Sequence, residues 1–414
     1  MNNAFTEVFL LMFAVVTATQ YWLARRQAAY VLANKESVPS AFTQTVSLAA
    51  HEKAADYTLA KSKLGDVERG LGVVLMLGLT VFGGINAAFE FCAAHIASPL
   101  MAGVSAIALL TLFMSLFEMP VSWYGTFVIE EKFGFNKSTP AQFIKDEVMQ
   151  LTLAAVIGLP ILALVLWVMD SVGEYWWVWA WAILISFSLL MSWLFPTLIA
   201  PLFNKFTPME DGALKTRISG LLERCGFNSQ GIFIMDGSKR SGHGNAYFTG
   251  IGNNKRIVFY DNLVASLDDE ELEAVLAHEL GHFKCKHVVK MLITSSITSF
   301  IGFGILGWMI KEDWFFTGLG VSQPSNAAAL LLFMLIAPIF TFFMQPVSAY
   351  FQRKFEFEAD DFAAQHAQAS RLVSGLVKLY EENASTLTPD PLYASFYYSH
   401  PPAAVRIAHL MGNK

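Results

Sequence analysis

Apolar residues in this chain come in long unbroken runs, not in the alternating or helical-stripe patterns of a soluble fold. The runs cover about residues 5–24, 71–96, 98–119, 150–169, 175–203, 288–310 and 326–350. Each is near the ~20 residues that a helix needs to cross a bilayer. A very short turn joins the second and third, and Pro196 and Pro201 fall near the end of the fifth. Polar stretches separate them at 25–70, 120–149 and 204–287. The pattern predicts a mainly α-helical multi-pass membrane protein with seven transmembrane helices. Residues 1–203 hold helices one to five with their inside loops. Residues 204–287 form a soluble insert, 288–350 hold helices six and seven, and 351–414 form a C-terminal segment.

Charge sets the orientation. Arg25 and Arg26 follow the first run, whereas a cleaved secretory signal carries its positive charge before the apolar region. The first run therefore reads as an uncleaved span with its N-terminus outside. The outside connections then lie near 97, 170–174 and 311–325. Of 28 Lys and Arg, all except Lys290 in the sixth run and Lys311 fall on the side of the insert and the C-terminus. This is the positive-inside asymmetry, which buried helices of a soluble protein do not produce. The composition agrees, with 54% hydrophobic and 15% charged residues against about 25% charged in a soluble domain. A net charge of −6 gives no nucleic-acid footprint. Cys92, Cys225 and Cys285 are too few and scattered for a disulfide framework or a Cys-x-x-Cys knuckle, and Cys285 reads as a small helix residue.

The insert predicts a small α+β unit. Ile232–Met235 reads as a strand. Ala246–Thr249 and Arg256–Tyr260 read as a hairpin turned by Gly250, Gly252, Asn253 and Asn254. A helix follows, with Asp268, Asp269, Glu270 and Glu271 at its start and Leu272, Val275, Leu276 and Leu280 at helical spacing. It carries His278-Glu279-Leu280-Gly281-His282. Histidines four apart share one helix face and can hold a single zinc ion, with the intervening glutamate placed to take a proton from water. The helix runs almost directly into the sixth span past Lys284, Lys286 and His287, which puts the site near the inner membrane surface. A strand edge beside it offers an extended peptide somewhere to lie.

A catalytic zinc usually has three protein ligands and an open position. The third is expected in Arg353–Asp361, just after the seventh span, where Glu356 and Asp360 lie one helical turn apart. One carboxylate can bind the metal while the other hydrogen-bonds a zinc histidine and fixes its tautomer; Glu356 is the better ligand candidate. Glu358 and Asp361 read as a solvated acidic face. His400, in Tyr398–Pro402 ahead of Arg406, is either an oxyanion stabiliser or a loop histidine. His243 is equally open, and His51, His366 and His409 read as surface or packing residues.

Five dispersed blocks carry a resemblance: His278–His282, Glu356–Asp360, Asn245–Phe248, Glu131–Thr139 and Ser399–Arg406. With Pro201–Phe206, they resemble the type I CAAX prenyl protease family, integral-membrane zinc endopeptidases, from the first span to Arg406. The resemblance implies seven spanning helices enclosing a large water-filled chamber, capped by the zinc domain. It implies one zinc per chain on His278, His282 and Glu356, with Glu279 as general base and Asp360 as a supporting acid or proton donor. It further implies that Asn245 grips substrate backbone along the strand holding Ala246 and Phe248, and that His400 and Arg406 lie near the transition state. The implied substrate is a protein or peptide prenylated at a C-terminal cysteine. No retention signal is evident and the outside connections are short, so a bacterial-type member is expected, in the inner membrane with its site on the cytoplasmic side.

The expected activity is therefore a zinc metalloendopeptidase acting near the C-terminus of CAAX-type substrates amid membrane lipid. An intramembrane-cleaving zinc protease is disfavoured because Glu270, Glu271, Glu273, Lys284 and Lys286 surround the motif. A quality-control metalloprotease without a prenyl requirement is an alternative. So is a non-proteolytic membrane scaffold, although a scaffold has no need of Glu279.

Overall fold

A computed structural model of the chain describes residues 3–227, 231–249 and 256–412. Among the described residues six helices are long and apolar enough to cross a bilayer: Ala4–Ala33, Pro99–Phe133, Pro140–Ser171, Trp176–Phe203, His287–Met309 and Asn326–His366. Leu48–Leu79 and Gly84–His95, bent by 51° at their junction, pass the same test together and make seven if the pair is one span. The junction contains Gly83, whose φ of 79° suits glycine and strains other residues.

These helices outrun the apolar stretches. The third continues past residue 119 to Phe133 through a π-helical turn at Gly125–Glu130. The seventh continues to His366 after a short 3-10 turn at Phe342–Met344. Hydropathy marks the part of a helix that meets lipid, not the point where backbone hydrogen bonding stops. Further π-helical turns interrupt the fourth and fifth spans at Ala154–Gly158 and Phe195–Ile199. One hydrophobic core joins the spans through residues such as Phe9, Leu166, Phe315 and Leu332. A second fills the soluble part around Ile218, Phe259, Leu272 and Leu280.

The soluble part holds a four-stranded sheet. Its strands are β1 (Phe206–Pro208), β2 (Ile232–Met235), β3 (Ala246–Thr249) and β4 (Arg256–Tyr260), in the order β1-β2-β4-β3. The β2–β4 pair is parallel and the other two are antiparallel. The three predicted strands are present, and β3 pairs with β4 with Ala246 opposite Phe259. The predicted turn residues Gly250, Gly252, Asn253 and Asn254 lie outside the described residues. Strand β1 escapes prediction because it is three residues long and ends in Pro208, which only an edge tolerates.

The motif helix spans Asp269–Lys284. Asp268 is its N-cap, not part of its first turn. The Asp268 side chain accepts from the Glu270 and Glu271 amides, and Glu271 Oε2 accepts the Asp268 amide at 2.9 Å, which is a capping box. Glu271 is otherwise buried between Ser374 and Lys378, each at 2.6 Å. Glu273 binds Arg217 at 2.8 Å and Arg224 at 2.6 Å. These acids anchor the helix to its neighbours as well as suiting its dipole. At the far end Lys286 takes a left-handed φ of 58°, so the chain turns before His287 opens the sixth span.

Candidate active site

Contact between the motif helix and the helix Gln345–His366 builds the site. Gly281 permits it: a Cβ there would lie 2.8 Å from the Ala359 Cα and 2.9 Å from its carbonyl oxygen. That close approach sets Glu356 against both histidines. His278 Nε2 lies 3.4 Å from Glu356 Oε2, and His282 Nε2 lies 3.2 Å from Glu356 Oε1. The two Nε2 atoms are 3.2 Å apart. Glu356 Oε2 is buried and makes no hydrogen bond; its neighbours stand only at ion-pair range, His278 and Arg406 Nη1 both at 3.4 Å. Two imidazoles and a carboxylate form an N/O donor set that suits zinc, and an orphaned carboxylate oxygen among converging ring nitrogens fits a cation between them.

Asp360 takes the other side of His278. Its Oδ1 is 2.8 Å from His278 Nδ1. Arg406 grips the same carboxylate through Nε at 2.9 Å and Nη2 at 2.5 Å. Asp360 and Arg406 are both buried, so each charge is matched within the protein. Burial works against a charged His278, but the Asp360 and Glu356 carboxylates outweigh it and raise the imidazole to about 9. Burial also raises the Glu279 carboxyl above its ordinary range, although the two histidines pull the other way. A carboxylate with a raised pKa is better matched to taking a proton near neutral pH.

The structure brings the remaining candidates to the same place. A cavity of about 730 Å³ opens beside the site, with Asn245, Tyr380, Tyr398, His400 and Arg406 among its lining residues. His400 Nε2 is 3.4 Å from Glu356 Oε1, and its side chain is 62% exposed. Strand β3 is an edge of the sheet. The Tyr260 amide donates to the Asn245 carbonyl at 3.0 Å. Antiparallel alternation then leaves the backbone groups of Ala246 and Phe248 toward the free edge. Their side chains belong to the soluble core, where Phe248 packs on Phe227 with centroids 4.8 Å apart. Asn245 Oδ1 accepts the Ala246 amide at 2.9 Å.

Some site neighbours were not legible as such. His243 stacks on Phe135 at 4.4 Å, meets Asn383 at 3.2 Å and lies 3.4 Å from Glu130. Tyr57 donates to Glu130 at 2.5 Å. This network ties the second and third spans to the approach to β3, and its members are scattered from residue 57 to 383. Tyr380 lines the cavity, and burial raises its phenol. Glu358 is partly exposed, as a solvated face implies, but its carboxylate is also engaged: it meets His287 at 3.0 Å and Lys290 at 3.2 Å. Asp361, 60% exposed, pairs with His409 at 2.7 Å.

Comparison with known proteins covers the whole chain. Residues 27–205 match the family described as CAAX prenyl protease N-terminal, five membrane helices, and residues 208–414 match peptidase family M48. The mouse CAAX prenyl protease 1 homolog is 32% identical, covering 100% of this chain and 96% of its own. CAAX prenyl protease 1 of Saccharomyces cerevisiae is 38% identical over 76% of this chain and 73% of its own. The crystal structure of S. mikatae Ste24p superposes with a TM-score of 0.92 at 32% identity, covering 98% of each chain. The agreement takes in the spans and the soluble part together: the chain belongs to the type I CAAX prenyl protease family and is an integral-membrane zinc metalloendopeptidase.

Proposed function

We propose that this protein hydrolyses peptide bonds near the C-terminus of CAAX-type substrates, with His278, His282 and Glu356 holding the zinc. The convergence of these three side chains, with Glu356 Oε2 buried and without a hydrogen bond among the described residues, carries the reading. Bound zinc supplies Lewis acidity, which brings the ionisation of a water toward neutral pH. Glu279 is placed to accept a proton from the attacking water and to pass it to the leaving amine. Asp360 holds His278 by its outer nitrogen and keeps the inner one free. Arg406 keeps Asp360 ionised and in place. His400 faces the cavity and donates to the developing oxyanion. The substrate lies extended along β3 against the outward-facing backbone of Ala246 and Phe248, displacing the Asn245 side chain from the Ala246 amide, and the Asn245 amide holds its backbone.

The names of the relatives support a prenylated C-terminal cysteine as the recognised feature. The Lys and Arg asymmetry supports a site on the cytoplasmic side, and the short opposite connections support a bacterial inner membrane. The test uses Glu279→Gln with prenylated and unprenylated twins of one CAAX peptide. The variant keeps its zinc, binds the prenylated peptide and loses ~10²–10⁴ in rate. Full zinc with undiminished turnover would remove Glu279 as the base. Equal turnover of the twins by the unaltered protein would instead favour a protease without a prenyl requirement.

A further inference from the structure

A second cluster of metal-ligating types lies just beyond the first. Cys285, His287 and Glu358 bring a thiol sulfur, a ring nitrogen and a carboxylate oxygen within 4.8 Å of one another. Its surroundings do not suit a cation. The Lys290 ammonium stands 3.2 Å from Glu358 Oε2, and both His287 ring nitrogens are already engaged. Nε2 meets Glu358 Oε2 at 3.0 Å, and Nδ1 meets His282 Nδ1 at 3.0 Å. The ring is fully buried and stacks on Phe355, with centroids 4.4 Å apart and planes at 13°.

This geometry constrains where protons sit. A carboxylate only accepts, so His287 Nε2 holds a proton and donates it to Glu358. A neutral His287 then presents a bare Nδ1, which can only accept. His282 must therefore carry its proton on Nδ1, leaving its Nε2 bare. That Nε2 is the atom facing Glu356 and His278. We propose that His287, fixed by Glu358 and Phe355, is a positioning residue for His282: it selects the tautomer a metal requires and holds the ring plane. The inference rests on the reading that His282 binds zinc through Nε2. Partners of this kind are worth about 10–100-fold in metal affinity.

The two side-chain amides separate this role from packing. An Asn at 287 sets its carbonyl oxygen near the Nδ1 position, whereas a Gln sets it near Nε2. Zinc affinity is measured by chelator competition on full-length protein in detergent. His287→Ala and His287→Gln weaken it by about 10–100-fold, and His287→Asn restores most of the loss. Equal affinities in Asn and Gln variants would show that the position only fills space and would overturn the proposal. Should the His287 variants fail to fold, Glu358→Ala alters a partly exposed carboxylate, and undiminished zinc affinity there overturns it too. Cys285→Ser leaves one zinc per chain; a second tightly bound zinc lost in that variant would make the cluster a metal site instead. His282→Ala tests the underlying reading: unchanged zinc affinity there removes His282 as a ligand, whatever His287 does.

Discussion

The two motif histidines are chemically identical and one helical turn apart, yet their outer nitrogens meet different environments. His278 Nδ1 faces a closed ion pair, Asp360 with Arg406, supplied by residues from elsewhere in the chain and buried. His282 Nδ1 faces the His287 ring five residues on, backed by a carboxylate that solvent and Lys290 both reach. One support comes from tertiary packing, with Arg406 lying 128 residues beyond His278. The other comes from the turn that leads into the sixth span. Removing Asp360 leaves a buried guanidinium short of its closest counter-charge, whereas removing His287 leaves a Glu358 carboxylate that water and Lys290 still reach.

Asp360→Ala is therefore the most damaging change on either side of this comparison. It leaves the buried Arg406 guanidinium with Glu356 Oε2 at 3.4 Å in place of its two-point grip on Asp360, at a cost of up to ~3–5 kcal/mol, and frees His278 to turn. Denaturant unfolding and metal analysis together should show lower stability and lost zinc. A variant with the original stability would mean that Arg406 finds another partner.

Gly281→Ala comes next and strikes both histidines at once. The added methyl meets the Ala359 backbone at under 3 Å, and overpacking of this kind costs ~1–3 kcal/mol. The two helices separate, Glu356 withdraws from both Nε2 atoms, and zinc affinity falls along with stability. If zinc affinity holds while stability falls, the helix contact is structural and does not set the ligand geometry.

The pH dependence of zinc binding sharpens the contrast from the His278 side. In the metal-free protein His278 is raised from 6.5 to about 9, so at neutral pH zinc must displace a proton from it. Apparent affinity should rise about tenfold per pH unit toward pH 9 and then level off. The sign for stability is opposite. The raised value stabilises the metal-free fold fully below pH 6.5, and that contribution is lost as pH rises through 9. Chelator competition and thermal unfolding between pH 6 and 10 read both, and a flat affinity profile would mean that His278 is neutral before the metal arrives.

The smallest effect belongs to the neighbouring pair. Asp361 follows Asp360 directly but is exposed, and it pairs with His409 on the surface. Asp361→Asn should change stability by less than ~1 kcal/mol and leave zinc unaltered. A large effect would extend the buried network beyond Asp360.

Spans and motif were legible because both are local. Seven apolar runs report the bilayer directly, since a crossing helix must be apolar along its length. His278 and His282 declare themselves because four residues bring two side chains onto one helix face. Glu356 and Asp360 were legible as a pair one turn apart. The sequence favoured Glu356 as the ligand, but which histidine nitrogen each carboxylate meets was not visible in spacing, because it depends on which face of the helix Gln345–His366 meets Gly281. The pairing of Glu358 with His287 escaped the sequence for a related reason: His287 lies across a helix crossing that sequence does not display. The π-helical turn that brings Glu130 to Tyr57 and His243 left no readable signal either.

The sequence by itself determined a helical membrane protein, its crossing segments, a zinc-type motif and the strand that now forms a sheet edge, since each depends on residues near one another in the chain. Only the tertiary structure decided that Glu356 faces the inner nitrogens, that Arg406 closes on Asp360, and that Glu358 holds His287. Those contacts join helices far apart in sequence at a few ångströms. Side-chain direction across such a contact is set by the crossing of the two helices, not by the order of residues along either.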